Sequence, residues 1–454
     1  MTDLFSQLTG NPDGHIDSRI KHQIGADAMH RCVVQTKQLP AYRFVDAYNA
    51  VVDFSADRSS VEKVETEHQE DLNTLLHSRR NQWSDRRVKR ATNTAWPVGP
   101  DEQIYLPVDC FWIIGGDKTA ERMVIRLRFV AYTHQTELDV ACEDRAAGEE
   151  CLKAIIAWAD KHSVYRNRIL QLGFEAGTKD EYGDVESPER LRVVFRADET
   201  VSDDDIVMDE HVLQILWRNV IDLHERRDIL KQLSVPVRRG VLLYGPPGTG
   251  KTYACRYLCG KLPETTRIMV TGSALTQVGA LFSLARLLQP TLLILEDVDL
   301  IFAAREINLY STALGDMLDQ MDGLRPFEDV GVVLTTNAID RLEAAIKDRP
   351  GRVSQCIYMG PPNRKLRHRY LKRYLRDYDT SNLSFDTLVE QADGASQAFL
   401  KEWVHRSVQI SSERIDGKNT ALDLRDEDFT GALEEMKSFV EGSTGQIIGF
   451  FPTK

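Results

Sequence analysis

A glycine-rich segment at residues 245–252 restricts the fold of this chain more than any other feature. It reads GPPGTGKT and therefore fits the pattern Gly-x4-Gly-Lys-Ser/Thr. An apolar run at 241–243 precedes it, and a stretch with helical character at 253–258 follows it. This order predicts a strand, a loop and a helix, with the loop's backbone N–H groups turned around phosphate. The helix N-terminus adds a favourable dipole for an anion.

The residues of this loop have separate predicted roles. Lys251 is expected to reach the β- and γ-phosphates of a nucleotide, and the Thr252 hydroxyl is expected to bind Mg²⁺. A chance glycine-rich turn is the alternative, but such a turn rarely has both flanks correct. The predicted nucleotide-binding set is Gly245, Pro246, Pro247, Gly248, Thr249, Gly250, Lys251 and Thr252.

A second apolar run, 291–295, leads directly into two carboxylates, Glu296 and Asp297. A strand buried in a parallel sheet reads as a continuous apolar run of this kind. One carboxylate is expected to hold Mg²⁺ through water, and the other to polarise the attacking water. The alternative is a strand that merely ends in an acidic loop.

A third apolar run, 332–336, ends at Asn337. The amide is expected to position the attacking water or to contact the γ-phosphate, and a structural Asn turn is the alternative. Arg349 and Arg352 then flank a Pro-Gly pair. On such a turn an arginine reaches a neighbouring subunit's phosphate and neutralises charge in the transition state. Two solvated surface arginines are the alternative.

Together these motifs resemble the AAA family, within the wider AAA+ superfamily. The match runs from about residue 238 to 429, under half of the chain. The resemblance implies ATP hydrolysis with Mg²⁺, a P-loop α/β core with a parallel sheet, a C-terminal helical lid and assembly into a ring. In the family's terms, the motifs are Walker A at 245–252, Walker B at 292–299, sensor 1 at Asn337, and paired arginine fingers at Arg349 and Arg352.

The order of the Walker B carboxylates departs from the usual Asp-Glu. Glu296 comes first here, and the same Glu-Asp order occurs in the mitochondrial Rieske-protein translocase branch, which the segment TTNAIDRL at 335–342 also resembles. By position, Glu296 takes the magnesium role and Asp297 the role of catalytic base. Because Asp is one methylene shorter than Glu, slow turnover is expected.

Two further departures concern the pore and the lid. Threading members of the family carry an aromatic–hydrophobic–Gly loop between Walker A and Walker B, whereas residues 271–282 have no aromatic at the expected place. An aromatic grips peptide through stacking and area burial, so its absence is unfavourable for hand-over-hand threading of a polypeptide, and passage of cargo through the pore stays an open alternative. The lid signature at 394–398 has Gln397 where the family usually has Gly.

The chain is expected to contain three parts. Residues 1–200 form a separate α+β domain for client or partner recognition, 201–360 the nucleotide-binding core, and 361–454 the helical lid with an apolar tail. In the first part, apolar Ile125 and Leu127 alternate with Arg126, which predicts a half-buried strand over 123–132. The strongly charged stretch 61–90 predicts a solvated helix or helical arm.

The composition of the chain limits which binding partners and which cellular location are expected. The net charge of −12 is unfavourable for non-specific nucleic-acid binding, because phosphates need cationic partners. The sequence contains no apolar run of the ~20 residues that a membrane-spanning helix needs. No signal peptide and no CxxC pair are present, which favours a cytoplasmic protein.

The leading hypothesis is therefore a ring-forming AAA ATPase that remodels or disassembles a protein client, with six subunits as the family default and seven as the variant. An ATP-binding switch or scaffold with little turnover is the alternative, supported by the Glu296–Asp297 order. A DNA-handling ATPase is less favoured. A protease of the FtsH type is excluded within these residues, because no HExxH motif occurs.

Overall fold

In the computed structural model, two compact units make up the chain: Met1–Arg168 with Gly173–Ala197, and Ile169–Leu172 with Asp198–Lys454. Four residues of the predicted N-terminal domain, Ile169–Leu172, thus belong to the second unit. The structure describes residues 14–58, 60–67, 70–78, 86–118, 121–175, 177–179, 185–187, 190–197, 201–237, 239–300, 307–325, 327–340, 353–415, 422–438 and 449–451.

A five-stranded antiparallel sheet forms the centre of the first unit, in the order β1-β7-β6-β5-β2. A hairpin of β3 and β4 and a short β9–β10 pair accompany it. The strands are β1 Val33–Pro40, β2 Val61–Glu65, β3 Asn93–Pro97, β4 Gln103–Pro107, β5 Asp109–Ile114, β6 Met123–Val130, β7 Gln135–Cys142, β8 Ile169–Glu175, β9 Thr178–Lys179, β10 Val185–Ser187 and β11 Arg190–Phe195.

Helices cover both faces of this sheet. Phe44 and Ile155 pack with Trp112 on one face, while Ile20 and Leu75 belong to a second core with Phe111 on the other. The helices are α1 Ile16–Ile24, α2 Ala26–Arg31, α3 Phe44–Ala56, α4 Leu72–His77 and α5 Arg145–Lys161.

The prediction of a half-buried strand at 123–132 is wrong about its polar face. β6 lies where expected, but Arg126 is 0% exposed. Its Nε and Nη2 donate to the two carboxylate oxygens of Asp109 at 2.9 and 2.7 Å. The second layer of helices buries this face, and the bidentate pair with Asp109 stabilises the buried charge.

The prediction of a solvated helix over 61–90 is also wrong. The chain forms β2 and then the short helix α4, and Arg86, which belongs to a cluster of basic residues at 79–90, is buried. Arg86 lies 3.1 Å from Glu70 and 3.5 Å from Asp17, so it is a structural charge within the unit. Two other members of that cluster, Arg79 and Arg80, lie outside the described residues.

Six parallel strands form the sheet of the second unit, in the order β8-β13-β14-β15-β12-β16. All five residues of β14 and all seven of β15 are buried, as the continuous apolar runs predicted. Parallel pairing brings the carboxyl ends of β12, β14 and β15 to one edge of the sheet. Besides β8, the strands of this sheet are β12 Arg239–Tyr244, β13 Thr266–Val270, β14 Thr291–Leu295, β15 Val330–Thr336 and β16 Gln355–Tyr358.

Helices flank this sheet. A π-helical turn, Trp217–Ile221, joins the first two of them. The helices of this part are α6 Glu210–Leu216, α7 Asp222–Glu225, α8 Arg227–Gln232, α9 Lys251–Lys261, α10 Val278–Leu287 and α11 Ile307–Asp322.

A helical lid with its own core follows the sheet. The Trp403 ring meets Phe429 edge to face at 5.2 Å, and its Nε1 donates to the Phe429 carbonyl at 2.8 Å. The end of the apolar tail docks on this lid, where Phe450 forms a β-bridge with Ala395. The lid helices are α12 Arg364–Tyr374, α13 Phe385–Gln391, α14 Gln397–Ser412 and α15 Asp426–Ser438.

Candidate functional site

The glycine-rich loop connects β12 to α9, as the sequence predicted. Gly245, Gly248 and Gly250 have φ of 150°, 75° and 98°, a region that side chains strongly disfavour. A Cβ at Gly245 would lie 2.1 Å from the carbonyl oxygen of Met359, which follows β16. The loop therefore needs glycine both for its turn and for the close approach of another backbone segment.

Lys251 is held against the mouth of this loop. Its side chain is mostly buried, and Nζ donates to the carbonyls of Gly245 and Pro246, both at 2.8 Å. Burial lowers the pKa of Lys251, and the carboxylates of Asp297 and Asp299 partly oppose that shift. The ammonium thus lies beside the backbone turn that would surround phosphate.

The predicted carboxylate and amide meet at the carboxyl ends of β14 and β15. Asn337 Nδ2 donates to Asp297 Oδ1 at 3.1 Å, and the Asp297 N–H donates to Thr335 Oγ1 at 2.9 Å. Asp297 has a positive φ of 50°, while the preceding Glu296 is only 6% exposed. Two segments about 40 residues apart in the sequence therefore bring their polar side chains into contact.

A cleft of about 440 Å³ lies over the loop and brings these residues together. The core contributes Lys251, Thr252, Asp297 and Asn337 to its walls. A second cavity of about 240 Å³ is lined mainly by apolar residues, among them Met208, Val212, Met359, Pro361 and Tyr370. One cavity thus offers polar groups and the other an apolar lining.

Comparison with known proteins agrees with this geometry. Residues 241–361 match the family model described as "ATPase family associated with various cellular activities (AAA)". The chain contains an AAA domain.

Several known proteins share this domain. A 26S proteasome regulatory subunit 8 homolog from Schizosaccharomyces pombe is 32% identical over 203 residues, 40% of this chain and 50% of that protein. The proteasome-activating nucleotidase of Sulfurisphaera tokodaii is 31% identical over 202 residues, 40% and 51% of the two chains. The ATP-dependent zinc metalloprotease FtsH 2 of a Thermoanaerobacter species is 28% identical over 230 residues, 48% and 44%. The matched region spans about half the length of these relatives.

No helix among the described residues is long and apolar enough to cross a membrane.

The donor groups in the AAA domain fit a nucleotide with Mg²⁺. Thr252 supplies a hydroxyl, and Glu296 and Asp297 supply carboxylates, the oxygen ligands that Mg²⁺ prefers. Within the described ranges, no cluster of three His, Cys, Asp or Glu side chains could hold a metal by itself. Mg²⁺ usually binds one or two carboxylates together with phosphate oxygens and water, and these donors suit such a site.

The lid contributes residues to the cleft that sequence reasoning missed. Tyr374, Ala398 and Lys401 line it, and Gln397 lines both this cleft and the apolar cavity. Gln397 stood out in the sequence as a departure from the family's glycine, but nothing indicated where its side chain lies. The two predicted arginine fingers, Arg349 and Arg352, lie outside the described residues.

Asp299 is a further residue that sequence reasoning did not assign. Its Oδ1 accepts hydrogen bonds from Thr336 Oγ1 at 2.9 Å and from the Asn337 backbone N–H at 3.0 Å. The carboxylate therefore fixes the end of β15, and with it the amide that contacts Asp297. The sequence feature that could have indicated Asp299 is its position two residues beyond Asp297, after a buried strand.

We expect Asp299→Ala to lower ATP turnover by up to about 30-fold, because it removes two hydrogen bonds, each worth about 1 kcal/mol, that place Asn337. The effect should appear in kcat, with the KM for ATP little changed. Asp299→Asn keeps an acceptor oxygen and should recover most of the rate. Equal losses in the two variants would show that negative charge matters here, and not the position of Asn337.

Proposed function

We propose that this chain is a Mg²⁺-dependent ATP hydrolase that forms a ring and remodels or disassembles a protein client recruited by its N-terminal region. The observation that carries the proposal is the convergence of Lys251, Thr252, Asp297 and Asn337 on one cleft beside a glycine-rich loop. The similar proteins named above include a proteasome regulatory subunit, a proteasome-activating nucleotidase and an ATP-dependent metalloprotease, which favours a protein as the client.

The predicted site residues of the cleft, together with Glu296, the buried carboxylate next to Asp297, each have a definite part in this proposal. The loop amides and Lys251 would hold the phosphates, while Thr252 and Glu296 would hold Mg²⁺, which would neutralise phosphate charge. Asp297 takes a proton from the water that attacks the γ-phosphorus, as the bond from that phosphorus to ADP breaks. Asn337 orients Asp297 and the water through its amide.

We expect slow turnover. Asp297 has a shorter side chain than the usual Glu, and its Oδ1 already accepts the hydrogen bond from Asn337. The Glu–Asp order and the segment 335–342 also support a placement near the Rieske-protein translocase branch.

A ring follows from the proposed role of Arg349 and Arg352, which would complete the site of an adjacent subunit, in a hexamer or a heptamer. The connection between β13 and α10 offers no aromatic for gripping peptide. The first aromatic after β13 is Phe282, which is 0% exposed within α10. The client is thus expected to be moved or separated without threading of an extended chain.

The experiment is a steady-state assay of ATP turnover, with the mass of the particle measured by light scattering in ATP and Mg²⁺. We expect turnover, a mass of six or seven chains, and loss of turnover when EDTA removes Mg²⁺. A monomeric mass in ATP would contradict the ring.

The second candidate is an ATP-binding switch, and the hydrogen bond between Asn337 and Asp297 favours it, because that bond competes with the attacking water for Oδ1. The same assay separates the two functions. ATP-dependent assembly without turnover, even with cell extract present, would support the switch and contradict the remodelling enzyme.

A further inference from the structure

We propose that Gln397 recognises a ribose hydroxyl of the bound nucleotide and so makes the site select ribonucleotides over deoxyribonucleotides. This inference rests on the proposed function, because it takes ATP or ADP to be the occupant of the cleft.

Gln397 lies where the two cavities of the AAA domain meet. It lines the apolar cavity of about 240 Å³, which suits a planar base, and the cleft of about 440 Å³ around the glycine-rich loop, which suits phosphates. The sugar joins the base to the phosphates, so it must lie between the two cavities. A side chain that lines both is therefore beside the sugar.

The orientation of the Gln397 amide favours a hydrogen-bond donor on the ligand. Gln397 Oε1 lies 2.3 Å from the place that a Cβ on Gly250 would take, so the carbonyl oxygen faces the loop. The rest of the amide contacts Tyr374: burial raises the pKa of this tyrosine, while a hydrogen bond with Gln397 lowers it. A carbonyl oxygen accepts from a hydroxyl and repels phosphate oxygens. A ribose hydroxyl thus fits this position.

Neighbouring backbone contacts hold Gln397 in place from two sides. The Ser396 N–H donates to the carbonyl of Gly449 in the docked tail at 2.7 Å, and the Ala398 N–H donates to the Gly248 carbonyl at 3.0 Å. Ser396 is itself fully buried, and its Oγ accepts the Phe399 N–H at 3.2 Å as the N-cap of α14. A fixed backbone limits the positions that the Gln397 side chain can take, so less entropy is lost on binding.

The family's usual glycine could not supply this contact, since it has no side chain. Selection through position 397 is therefore a property of this chain's own sequence. A neutral hydrogen bond to a half-buried group is worth about 1 kcal/mol, which corresponds to about fivefold in affinity.

The test is isothermal titration of the full-length chain with ADP, 2′-deoxy-ADP and 3′-deoxy-ADP, which avoids hydrolysis and any label on the sugar. We expect wild type to bind ADP about fivefold more tightly than one of the two deoxy forms. Gln397→Ala should lower ADP affinity to that of the same deoxy form. Gln397→Glu keeps an acceptor oxygen, so it should keep the preference while binding all three more weakly.

Lys401→Ala is the matched control. Lys401 lies one turn further along α14 and lines only the phosphate cleft, so its loss should weaken all three nucleotides equally. The inference is wrong if wild type shows no preference, or if Gln397→Ala retains one. ADP binding by wild type would leave the proposed nucleotide site standing in either case, whereas binding of none of the three would reject that site as well.

Discussion

Asp297→Asn should bind ATP about as well as wild type and hydrolyse it at least about 100-fold more slowly. The substitution keeps the size of the side chain and its hydrogen bond with Asn337, but the amide cannot accept a proton from water. General bases contribute about 10² to 10⁴ to enzymatic rates, which sets the expected size of the loss. Single-turnover hydrolysis, with ATP affinity measured by titration, separates chemistry from binding.

The matched control for this substitution is Asp53→Asn. Asp53 is an exposed carboxylate on α3, outside the AAA domain, so the same chemical change there should leave turnover as it was. If Asp297→Asn retained turnover within about threefold of wild type, Asp297 would not be the base. Glu296→Gln would then become the next variant to measure, because Glu296 is the neighbouring carboxylate.

Gly245→Ala should destabilise the AAA domain by about 4 kcal/mol. Backbone strain at a φ of 150° costs about 1–3 kcal/mol for a residue with a side chain, and overpacking a tight contact costs a further 1–3 kcal/mol. The added methyl would stand 2.1 Å from the Met359 carbonyl, and a backbone atom cannot move aside as a flexible side chain can. Such a loss is a large part of a domain's stability, so hydrogen exchange in β12 and α9 should become much faster.

Gly279→Ala adds the same methyl group, but we expect it not to destabilise the protein. Gly279 lies in α10, has an ordinary φ, and would place its Cβ with nothing within 4 Å. Alanine favours helix over glycine by up to about 1 kcal/mol, so this variant should be as stable as wild type or slightly more so. Similar melting temperatures for the two variants would contradict the tight approach of Met359 to the loop.

Local patterns accounted for the architecture of the AAA domain. The apolar runs before residues 245, 296 and 337 are strands β12, β14 and β15, and the predicted lid is helical. These predictions succeeded because each depends on the periodicity or the turn chemistry of neighbouring residues. The meeting of Asp297 with Asn337 was also accessible, because parallel strands bring their carboxyl ends to one edge.

The same local rules failed where burial comes from distant segments. Alternation placed Arg126 on a solvent face, but a second layer of helices covers that face and Asp109 pairs with the charge. The charged stretch 61–90 indicated a solvated helix, but it contains β2 and the buried Arg86. Charge in a sequence reports solvation only when no partner from another part of the chain neutralises it.

The sequence by itself determined a glycine-rich phosphate loop, the strands that carry Glu296, Asp297 and Asn337, and a helical lid. Only the tertiary structure decided that Asp299 fixes the end of β15 and that Gln397 stands between the two cavities. The physical reason is the sequence separation over which each kind of interaction acts. Glycine turns and apolar periods act between neighbouring residues, whereas these contacts form only when folding brings together groups that are tens to more than a hundred residues apart.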